Sequence, residues 1–499
     1  MDFFSHLISG LGIALLPSNL LYALIGVIVG TAIGVLPGLG PPTTVALLLP
    51  ITFKIHPVSA VIMLAGIYYG AMYGGSTTSI LLNIPGEAAS VVTCIDGYQM
   101  ARQGRAGTAL GVSAIGSFFA GTFSICALSL LATALAAFAL KFGYPEYSSL
   151  VILGLVLSIY LSQESVLKGL MMAALGLLLG TIGIDPVFGV DRFTFGMPRL
   201  ADGLDLVVVV MGLFGITEVL CNLESPEVRD VFKTSIKRIL PTLEDWKQCW
   251  IPMIRGSFIG FFVGVLPGGG GAISSFAAYA VEKKVSRHPE RFGKGAVEGV
   301  MAPEAANNAA STSSFIPLLT LGIPGNATTA MIFVALMIHG IRPGPLLMQE
   351  QPQLFWGVIG SMYIGNLMLL ALNLPLISLW VRLLTIPYRY LAVLVVAICS
   401  VGAYSVTSNV LDVGIMVIFG VFGYLMRKGG FSTVPLVLAM ILGRILELSV
   451  QQSLIMSGGD LFIFVQKPIS AVLLLIAGFV FITPILQYFW KKGRVSKKG

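Results

Sequence analysis

Four proline–glycine breaks interrupt otherwise apolar sequence, and uncharged polar residues follow them. Two breaks read Gly-Val-Leu-Pro-Gly, at residues 34–38 and 264–268, and two read Ile-Pro-Gly, at 84–86 and 323–325. A helix that begins after a break presents free N–H groups and about half a positive charge, which suit an anion. Hydroxyl and carbonyl oxygens beside it suit Na⁺, because they can replace the hydration shell of the ion. These residue types at this spacing predict adjacent sites for an anion and a cation.

The residues predicted to bind the anionic substrate lie at or after the breaks, after Gly74-Gly75, or in a polar stretch of the second half. They are Pro37, Gly38, Gly40, Thr43, Thr44, Ser76, Thr77, Thr78, Gly268, Gly269, Ser274, Ser275, Asn307 and Asn308. The residues predicted to bind the cation are Asn83, Pro85, Gly86, Glu87, Glu304, Ser311, Thr312, Pro324, Gly325, Asn326 and Thr328. These elements contain no Lys or Arg, so the anion site would be electrostatically incomplete without the cation.

Each of these residue types also has a structural interpretation. Glycines in membrane helices often serve close packing, as the pairs Gly26/Gly30 and Gly260/Gly264 would. A single Ser or Thr often donates to a carbonyl of its own helix. Glu87 and Glu304 are acids in apolar sequence, which are costly and usually functional, but a carboxylate at a helix N-terminus near the membrane edge is an equally good interpretation. The five cysteines form no Cys-x-x-Cys pair and are expected to be small buried hydrophobes.

The composition indicates which elements must position these residues. Of 499 residues, 56% are hydrophobic and 11% charged, whereas soluble domains carry about 25% charged residues. Continuously apolar runs of about 20 residues recur along the chain, each long enough to cross a bilayer, and they lack the alternation of a β-barrel. We expect an all-α polytopic membrane protein with about 10–12 transmembrane helices plus re-entrant or broken helices. The net charge of +7 lies largely in short loops and the tail, as in cytoplasmic loops, and does not suggest nucleic acid.

The repeated motif predicts two homologous halves. The two Gly-Val-Leu-Pro-Gly copies differ by 264 − 34 = 230 residues, and upstream glycines keep that offset. The predicted division is a first membrane repeat at 1–223, a cytoplasmic linker at 224–250, a second repeat at 251–490 and a basic cytoplasmic tail at 491–499. The N-terminus has no basic region, so a cleaved signal peptide is not expected.

Basic residues favour an inverted repeat over a parallel one. The compared positions follow the breaks and are Lys54, Arg102, Arg105, Lys283, Lys284, Arg287, Arg291, Lys294 and Arg342. Inversion places seven of them inside and two outside, whereas a parallel arrangement gives six against three at best. Paired interrupted segments in two halves are typical of the binding site of a secondary transporter.

Two long blocks, residues 68–107 and 299–345, resemble the large membrane subunit of tripartite tricarboxylate transporters, the TctA family; they contain YYGAMYGGSTTSILLNIPGEAAS and APEAANNAASTSSFIPLLTLGIPGNATT. The duplicated Gly-Val-Leu-Pro-Gly segments match as well, so the resemblance covers essentially the whole chain. It implies a multi-pass permease of the bacterial inner membrane rather than an enzyme. It also implies two protein partners, a small four-helix membrane subunit and a periplasmic solute-binding protein that delivers a carboxylate.

The resemblance further implies carboxylate uptake driven by an ion gradient, by symport with Na⁺ or H⁺ and without another cofactor. The sequence agrees, because it has no GxxxxGK[ST] phosphate-binding loop. Similarity to related ion-driven transporters suggests an elevator-like movement. Two other functions stay open: a passive anion channel, and an intramembrane hydrolase with Ser76 or Ser274 as nucleophile or with the Ser457–Asp460 stretch as part of an aspartyl protease.

Overall fold

The computed structural model describes residues 3–36, 39–161, 165–224, 239–383 and 387–495. The helices as far as the second Gly-Val-Leu-Pro-Gly copy are α1 (Phe3–Ala14), α2 (Pro17–Val35), α3 (Pro41–Thr52), α4 (Pro57–Leu82), α5 (Val91–Met100), α6 (Ala106–Ala139), α7 (Tyr144–Leu161), α8 (Val166–Gly180), α9 (Pro198–Ala201), α10 (Leu206–Val210), α11 (Thr217–Glu224) and α12 (Leu243–Val265). A two-stranded antiparallel hairpin, β1 (Gly183–Ile184) and β2 (Asp191–Arg192), follows α8.

The remaining helices are α13 (Gly270–Val285), α14 (Glu298–Ser313), α15 (Phe315–Leu321), α16 (Ala327–Ile338), α17 (Leu347–Glu350), α18 (Pro352–Asn373), α19 (Ile377–Leu383), α20 (Tyr388–Thr407), α21 (Val410–Lys428), α22 (Thr433–Met456), α23 (Ile463–Gln466) and α24 (Pro468–Val495). Short non-α helical turns at Ala88–Ser90, Ala101–Arg105 and Met211–Ile216 lead into or join neighbouring helices. Predominantly helical structure is what the composition predicts.

Ten helical segments in the described residues are long and apolar enough to cross a membrane. This number lies within the predicted range and confirms an all-α polytopic membrane protein. The apolar helices α3 and α16 have only 12 residues each, about 18 Å of length against a bilayer core of about 30 Å. Both follow a break, as the re-entrant or broken-helix prediction requires.

The duplicated glycines pack one helix closely against another in both halves. Along α2, Gly26, Gly30 and Gly34 lie so close to α4 that a Cβ at any of them would overlap a backbone carbonyl there. Along α12, glycines at the same offset lie in the same way against α14. The facing residues are Met63, Ile67 and Ala71 on α4, and Ala302, Ala306 and Ala310 on α14. The close-packing interpretation of these glycines is therefore confirmed, and the two halves share one helix-pair geometry.

Both kinds of break end a helix where the sequence predicts. Helix α2 ends at Val35 and α3 begins at Pro41, while α12 ends at Val265 and α13 begins at Gly270. Gly74-Gly75, in contrast, does not interrupt its helix, because α4 continues to Leu82. The absent side chains instead allow close contacts: a Cβ at Gly74 would overlap the carbonyl of Thr31, and one at Gly75 would overlap the carboxylate of Glu87.

The chain forms two compact units. The first comprises Met1–Ala137 and Val207–Tyr424 and contains all the predicted site residues that the structure describes. The second comprises Phe138–Leu206 and Leu425–Gly499; within it α22 packs against α7 and α8, and α24 packs against α7. The predicted division into two repeats, a linker and a tail stays a prediction, as does the inversion. Helix α12 begins at Leu243, inside the predicted linker, and residues 225–238 and 496–499 lie outside the described part.

The hairpin of the second unit is held by an ion-pair network. Asp185 Oδ1 accepts the backbone N–H groups of Val187 and Phe188, each at 2.8 Å, and Asp185 Oδ2 lies 3.2 Å from Arg192 Nη1. Arg192 also pairs with Glu447 on α22. The hydrogen bonds from Phe188 and Val187 hold the pKa of the Asp185 carboxyl below its ordinary value. These contacts fasten the loop between α8 and α9 to α22.

Candidate functional site

The two Ile-Pro-Gly breaks have the same backbone design. Asn83, which follows α4, has φ of 58°, and Gly322, which follows α15, has φ of 72°. At both breaks the backbone therefore leaves the helix through a residue in the left-handed conformation. After the proline, Glu87 caps the turn Ala88–Ser90 and Asn326 caps α16. Both caps are reciprocal, because the hydroxyl of the residue three positions later accepts the backbone N–H of the capping residue. Each break therefore ends one helix and begins another within a few residues.

Each Ile-Pro-Gly break lies beside the other break of its own half. Gly86 lies against the carbonyl of Gly34 at the end of α2. In the second half, Gly268 donates its N–H to the carbonyl of Gly325 at 2.7 Å. The first-half counterpart of Gly268 is Gly38, which lies outside the described residues, as does the predicted site residue Pro37. Within the described part, the structure thus brings the paired breaks together as predicted.

The polar side chains at the breaks also make contacts between the halves. Asn307 on α14 donates from Nδ2 to Glu87 Oε1 at 3.3 Å. Asn326 donates from Nδ2 to the hydroxyl of Tyr68 on α4 at 2.9 Å. The Ile-Pro-Gly offset, 323 − 84 = 239, relates Tyr68 to Asn307 and Glu87 to Asn326. The two contacts therefore join equivalent positions in exchanged order.

Exchanged contacts of this kind are the signature of a twofold relation between two similar bodies. The helix packing agrees with it. Helix α3 of the first half packs against α16 of the second, and α13 of the second packs against the turn Ala88–Ser90 of the first. In each case a helix that begins at one break lies beside the helix or turn that begins at a break of the other half. A pseudo-twofold relation between the halves would produce these contacts; that relation stays a prediction, as the inversion does.

Two glycines leave the space that the side chains of Glu87 and Asn307 occupy. A Cβ on Gly75 would overlap Glu87 Oε2, and a Cβ on Gly271 at the start of α13 would overlap Asn307 Oδ1. Both of these oxygens are buried and have no hydrogen-bond partner in the described part of the chain. Asn307 is 1% exposed. Asn307 Oδ1 is thus an acceptor without a donor beside the beginning of α13, and Glu87 Oε2 is another against Gly75 of α4.

Glu304, also predicted to bind the cation, lies in a different environment. Its carboxylate is buried and accepts hydrogen bonds from Ser76 at 2.6 Å, from Ser113 at 2.9 Å and from Thr93. These hydroxyls come from α4, α6 and α5, so Glu304 joins three helices to α14. Asn308, one turn further along, donates to Ser117 at 2.6 Å. Both carboxylate oxygens of Glu304 are satisfied by hydroxyl groups, in contrast to those of Glu87.

Most of the predicted hydroxyls donate to backbone carbonyls. Thr43 bonds the carbonyl of Phe214, Thr44 that of Gly40, Thr78 that of Gly75, Ser274 those of Gly270 and Gly271, Ser275 that of Pro303, and Ser311 that of Asn308. Thr77, Thr312 and Thr328 are buried, whereas Asn83 is exposed and Pro85 is half-buried. Gly269 and Pro324 are buried within their breaks. These hydroxyls keep their acceptor lone pairs, so a binding role for them stays a prediction.

Tyr68, Ser113 and Thr93 are site residues that the sequence interpretation missed. The offset of 239 residues was the available signal for Tyr68, because it aligns this tyrosine with Asn307. In the sequence, Asp96 is an acid beside an apolar stretch. In the structure its Oδ1 accepts three backbone N–H groups, those of Gly293, Gly295 and Ala296, at 2.8–2.9 Å. Asp96 therefore fastens the basic loop that precedes α14.

A cavity of about 500 Å³ lies at this basic loop and not at the breaks. Its lining is Arg105, Gln248, Glu290, Arg291, Lys294, Gly295, Ala296, Val297 and Glu298. None of the residues predicted to bind substrate or cation is among them. Within the described residues, no group of three or more His, Cys, Asp or Glu side chains could hold a metal ion. The polar cluster at the breaks is therefore the candidate site.

Comparison with known proteins agrees with the sequence blocks. The sequence model described as "Tripartite tricarboxylate transporter TctA family" matches residues 20–438. An uncharacterised 52.8 kDa protein from the TAR-I ttuC' 3' region of Agrobacterium vitis is 51% identical over 474 residues, which are 95% of this chain and 94% of that protein. A protein from the TAR-II ttuC' 3' region of the same organism is 51% identical over 215 residues, 43% of this chain and 89% of that protein. No solved structure matches the chain.

Proposed function

Because the chain belongs to the tripartite tricarboxylate transporter TctA family, we propose that it is the large permease subunit of a carboxylate uptake system. In this proposal a periplasmic solute-binding protein delivers the carboxylate and a small four-helix membrane subunit completes the complex. The permease resides in the bacterial inner membrane, is not an enzyme, and uses a gradient of Na⁺ or H⁺. The transporter role follows from the family. The two protein partners, the coupling ion and the location in the bacterial inner membrane are proposals.

The observation that carries the proposal is the packing, in pairs, of elements that begin at the breaks of the two halves. Helix α3 lies beside α16, and α13 lies beside the turn at Ala88–Ser90. Each beginning leaves N–H groups that its own helix cannot satisfy, and its dipole favours negative charge. In hydrocarbon such groups cost several kcal/mol each unless protein, water or ligand satisfies them. A carboxylate held between these helix beginnings would satisfy them.

The same cluster explains why the anion would need a cation. The described residues place carboxylates at Glu87 and Glu304 and no lysine or arginine beside either. An anionic substrate entering this region would add to a negative charge that burial already makes costly. A cation bound at the breaks would offset that repulsion and let helix dipoles and hydroxyls hold the substrate. Coupling would then be a direct electrostatic consequence of the site.

Transport would follow if the site is exposed alternately to the two sides of the membrane. The breaks of each half touch within their half and also make contacts with the other half. We propose that the helices bearing the breaks move together in an elevator-like step, carrying the anion and cation with them. A loaded site would be closer to neutral than a site holding only one of the ions, so the fully loaded form would cross the bilayer at the lowest cost.

Reconstitution tests this proposal. Proteoliposomes containing both membrane subunits, supplied with the binding protein, should accumulate a radioactive carboxylate against its concentration gradient when an inward Na⁺ or H⁺ gradient is imposed. The substrate can be chosen by a thermal-shift screen on the cognate binding protein. Accumulation that persists after all ion gradients are collapsed would contradict gradient-driven uptake, and non-saturable flux without the binding protein would indicate a passive channel.

Variants at the breaks test the location of the site. Asn307→Ala and Asn326→Ala should each weaken transport by lowering the affinity for cation or substrate while leaving expression intact. Asn373→Ala is a matched control, because Asn373 is a buried asparagine of α18 whose one hydrogen bond within the described residues is to the Leu369 carbonyl of its own helix. Wild-type transport by both site variants would remove these asparagines from the site.

A further inference from the structure

The two exchanged contacts at the breaks differ in one chemical respect. At the Tyr68–Asn326 contact, Asn326 Nδ2 donates to the tyrosine hydroxyl at 2.9 Å and Asn326 Oδ1 accepts the N–H of Thr329 at 3.0 Å. Both polar atoms of the asparagine are therefore used. At the Glu87–Asn307 contact, Glu87 Oε2 and Asn307 Oδ1 are buried without a donor in the described residues. The offset of 239 residues thus relates one fully paired contact to one that lacks two donors.

The missing donors have a large energetic weight in this setting. A buried acceptor without a partner destabilises the folded state, and a buried charged group without one does so more strongly. The ionisable groups of neighbouring helices that interact electrostatically with Glu87 are Tyr68 of α4, Cys94 of α5 and Glu304 of α14. None of these side chains is cationic. A positively charged ligand is the chemistry that would satisfy a carboxylate oxygen and an amide oxygen together.

We propose that Glu87 Oε2 and Asn307 Oδ1 are ligands of one dehydrated Na⁺ ion, and that the hydroxyl of Tyr68 closes the equivalent position at Asn326. This inference rests on the proposed function for its transport role, since the ion would be the coupling ion. The permease then carries a cation site at one of its two pseudo-equivalent breaks and a hydrogen-bonded plug at the other. The two halves share a fold but not a ligand.

Charge and position favour a monovalent ion at this place. Glu304 is satisfied by three hydroxyl donors, so Glu87 is the one carboxylate among the proposed ligands. One carboxylate ligand balances one positive charge, whereas a divalent ion would leave an excess charge in a buried site. Oxygen ligands from a carboxylate, an amide and an interrupted helix are the donors that transporters use for Na⁺. The end of α4, at Leu82, lies within five residues of Glu87 along the chain.

The site is placed to control the proposed anion site. Asn307 Oδ1 lies against Gly271 in the first turn of α13, and α13 carries the predicted substrate residues Ser274 and Ser275. A cation that draws Asn307 Oδ1 toward Glu87 would move this oxygen, a negative dipole end, away from the N–H groups at the beginning of α13. The beginning of α13 would then be free for the carboxylate, so the cation would bind first.

The test is Na⁺-dependent thermal unfolding of the purified membrane protein in detergent, with choline chloride at equal ionic strength as the reference. Wild-type protein should show a saturable rise in Tm with Na⁺. Glu87→Gln should lose this rise but keep its fold, because the glutamine Oε1 can still cap Ser90 and its amide can donate to Asn307 Oδ1. Asn307→Ala should raise the half-saturating Na⁺ concentration at least tenfold.

Tyr68→Phe is the matched control at the plugged position. It removes the acceptor of Asn326 Nδ2 but no proposed Na⁺ ligand, so its half-saturating Na⁺ concentration should stay within about threefold of wild type, whatever its Tm without Na⁺. A full Na⁺ response in Glu87→Gln, or equal losses in Tyr68→Phe and Asn307→Ala, would overturn the assignment. A wild-type Tm that rises on acidification and does not respond to Na⁺ at any pH would also overturn it, in favour of a proton on Glu87.

These outcomes are independent of transport, because the assay contains neither carboxylate nor binding protein. A Na⁺ response that Glu87→Gln abolishes, in a protein that moves no carboxylate, would keep the site and refute the proposed function. Na⁺-driven uptake that survives Glu87→Gln would keep the function and refute the site.

Discussion

Replacing Gly75 with alanine tests whether the crowding around Glu87 is part of a binding site or only part of the packing. The new Cβ would overlap Glu87 Oε2, the flexible end of a side chain, so the carboxylate can move aside without moving a helix. The neighbouring residue Gly74 offers the matched comparison. Its Cβ would overlap the backbone carbonyl of Thr31 and would lie 2.8 Å from the backbone nitrogen of Val35, so helix α2 itself would have to shift.

The expected magnitudes separate the two variants. Alanine in place of an interior helical glycine gains about 1 kcal/mol. Moving the Glu87 carboxylate removes its hydrogen bond with Asn307, a loss of about 1 kcal/mol. The free energy of unfolding of Gly75→Ala should therefore lie within about 1 kcal/mol of the wild-type value. Overpacking α2 against α4 costs about 1–3 kcal/mol or more, so Gly74→Ala should be clearly the less stable variant.

Sodium binding should rank the two variants in the opposite order, with Gly75→Ala the more weakened. At a Na⁺ concentration of 100 times Kd, binding stabilises the native state by about 2.7 kcal/mol. A tenfold weaker Kd, as expected for the displaced carboxylate of Gly75→Ala, reduces this to about 1.4 kcal/mol. Thermal unfolding with and without Na⁺ measures both quantities. Gly75→Ala with a wild-type Na⁺ response, or as unstable as Gly74→Ala, would refute the reasoning.

Three further predictions concern the contacts that support the site and the hairpin. Asp96→Ala should destabilise the protein by about 3 kcal/mol and Asp96→Asn by about 1 kcal/mol, because alanine removes the acceptor of three backbone N–H groups and asparagine keeps it; thermal unfolding measures the order, and equal losses would contradict it. Asn366→Ala should cost about 2–3 kcal/mol, because Asn366 joins Tyr73 of α4 to the carbonyl of Phe118 on α6; an unchanged unfolding midpoint would show that this bridge is dispensable. Since the folded pKa of Asp185 is lowered from 3.8, its stabilising effect should be complete above that value and lost as the pH falls through the lower, folded pKa. The Tm difference between wild type and Asp185→Asn should therefore shrink between about pH 5 and pH 3, and a difference that grows on acidification would reverse the sign.

Local backbone chemistry made the breaks predictable. Proline lacks an N–H and glycine tolerates positive φ, so a Pro-Gly pair in apolar sequence marks the end of a helix whatever surrounds it. The duplicated offset then paired the breaks of the two halves. Gly74-Gly75 has no proline and does not interrupt α4. Close contacts with α2 and Glu87 keep α4 helical there.

Long-range contacts were beyond the sequence interpretation. The partner of Glu87 lies 220 residues away, and that of Tyr68 lies 258 residues away. Glu304 was correctly singled out as a buried acid, but its hydroxyl donors Ser113 and Thr93 lie in sequence that resembles any other small-residue membrane helix. The exchanged contacts become visible only when the offset of 239 residues is applied to pairs of residues that touch. A repeat found in sequence therefore predicts equivalent positions, and the structure adds which of them meet.

Equilibrium binding of a radioactive carboxylate to the purified permease, measured as a function of Na⁺ concentration, tests the central claim most directly. The substrate is the one that stabilises the cognate binding protein. The carboxylate affinity of the wild type should rise with Na⁺, whereas Glu87→Gln should bind the carboxylate with the same affinity at every Na⁺ concentration. By linkage the carboxylate should tighten Na⁺ binding by the same factor. Carboxylate binding to the wild type that is independent of Na⁺ would contradict the account.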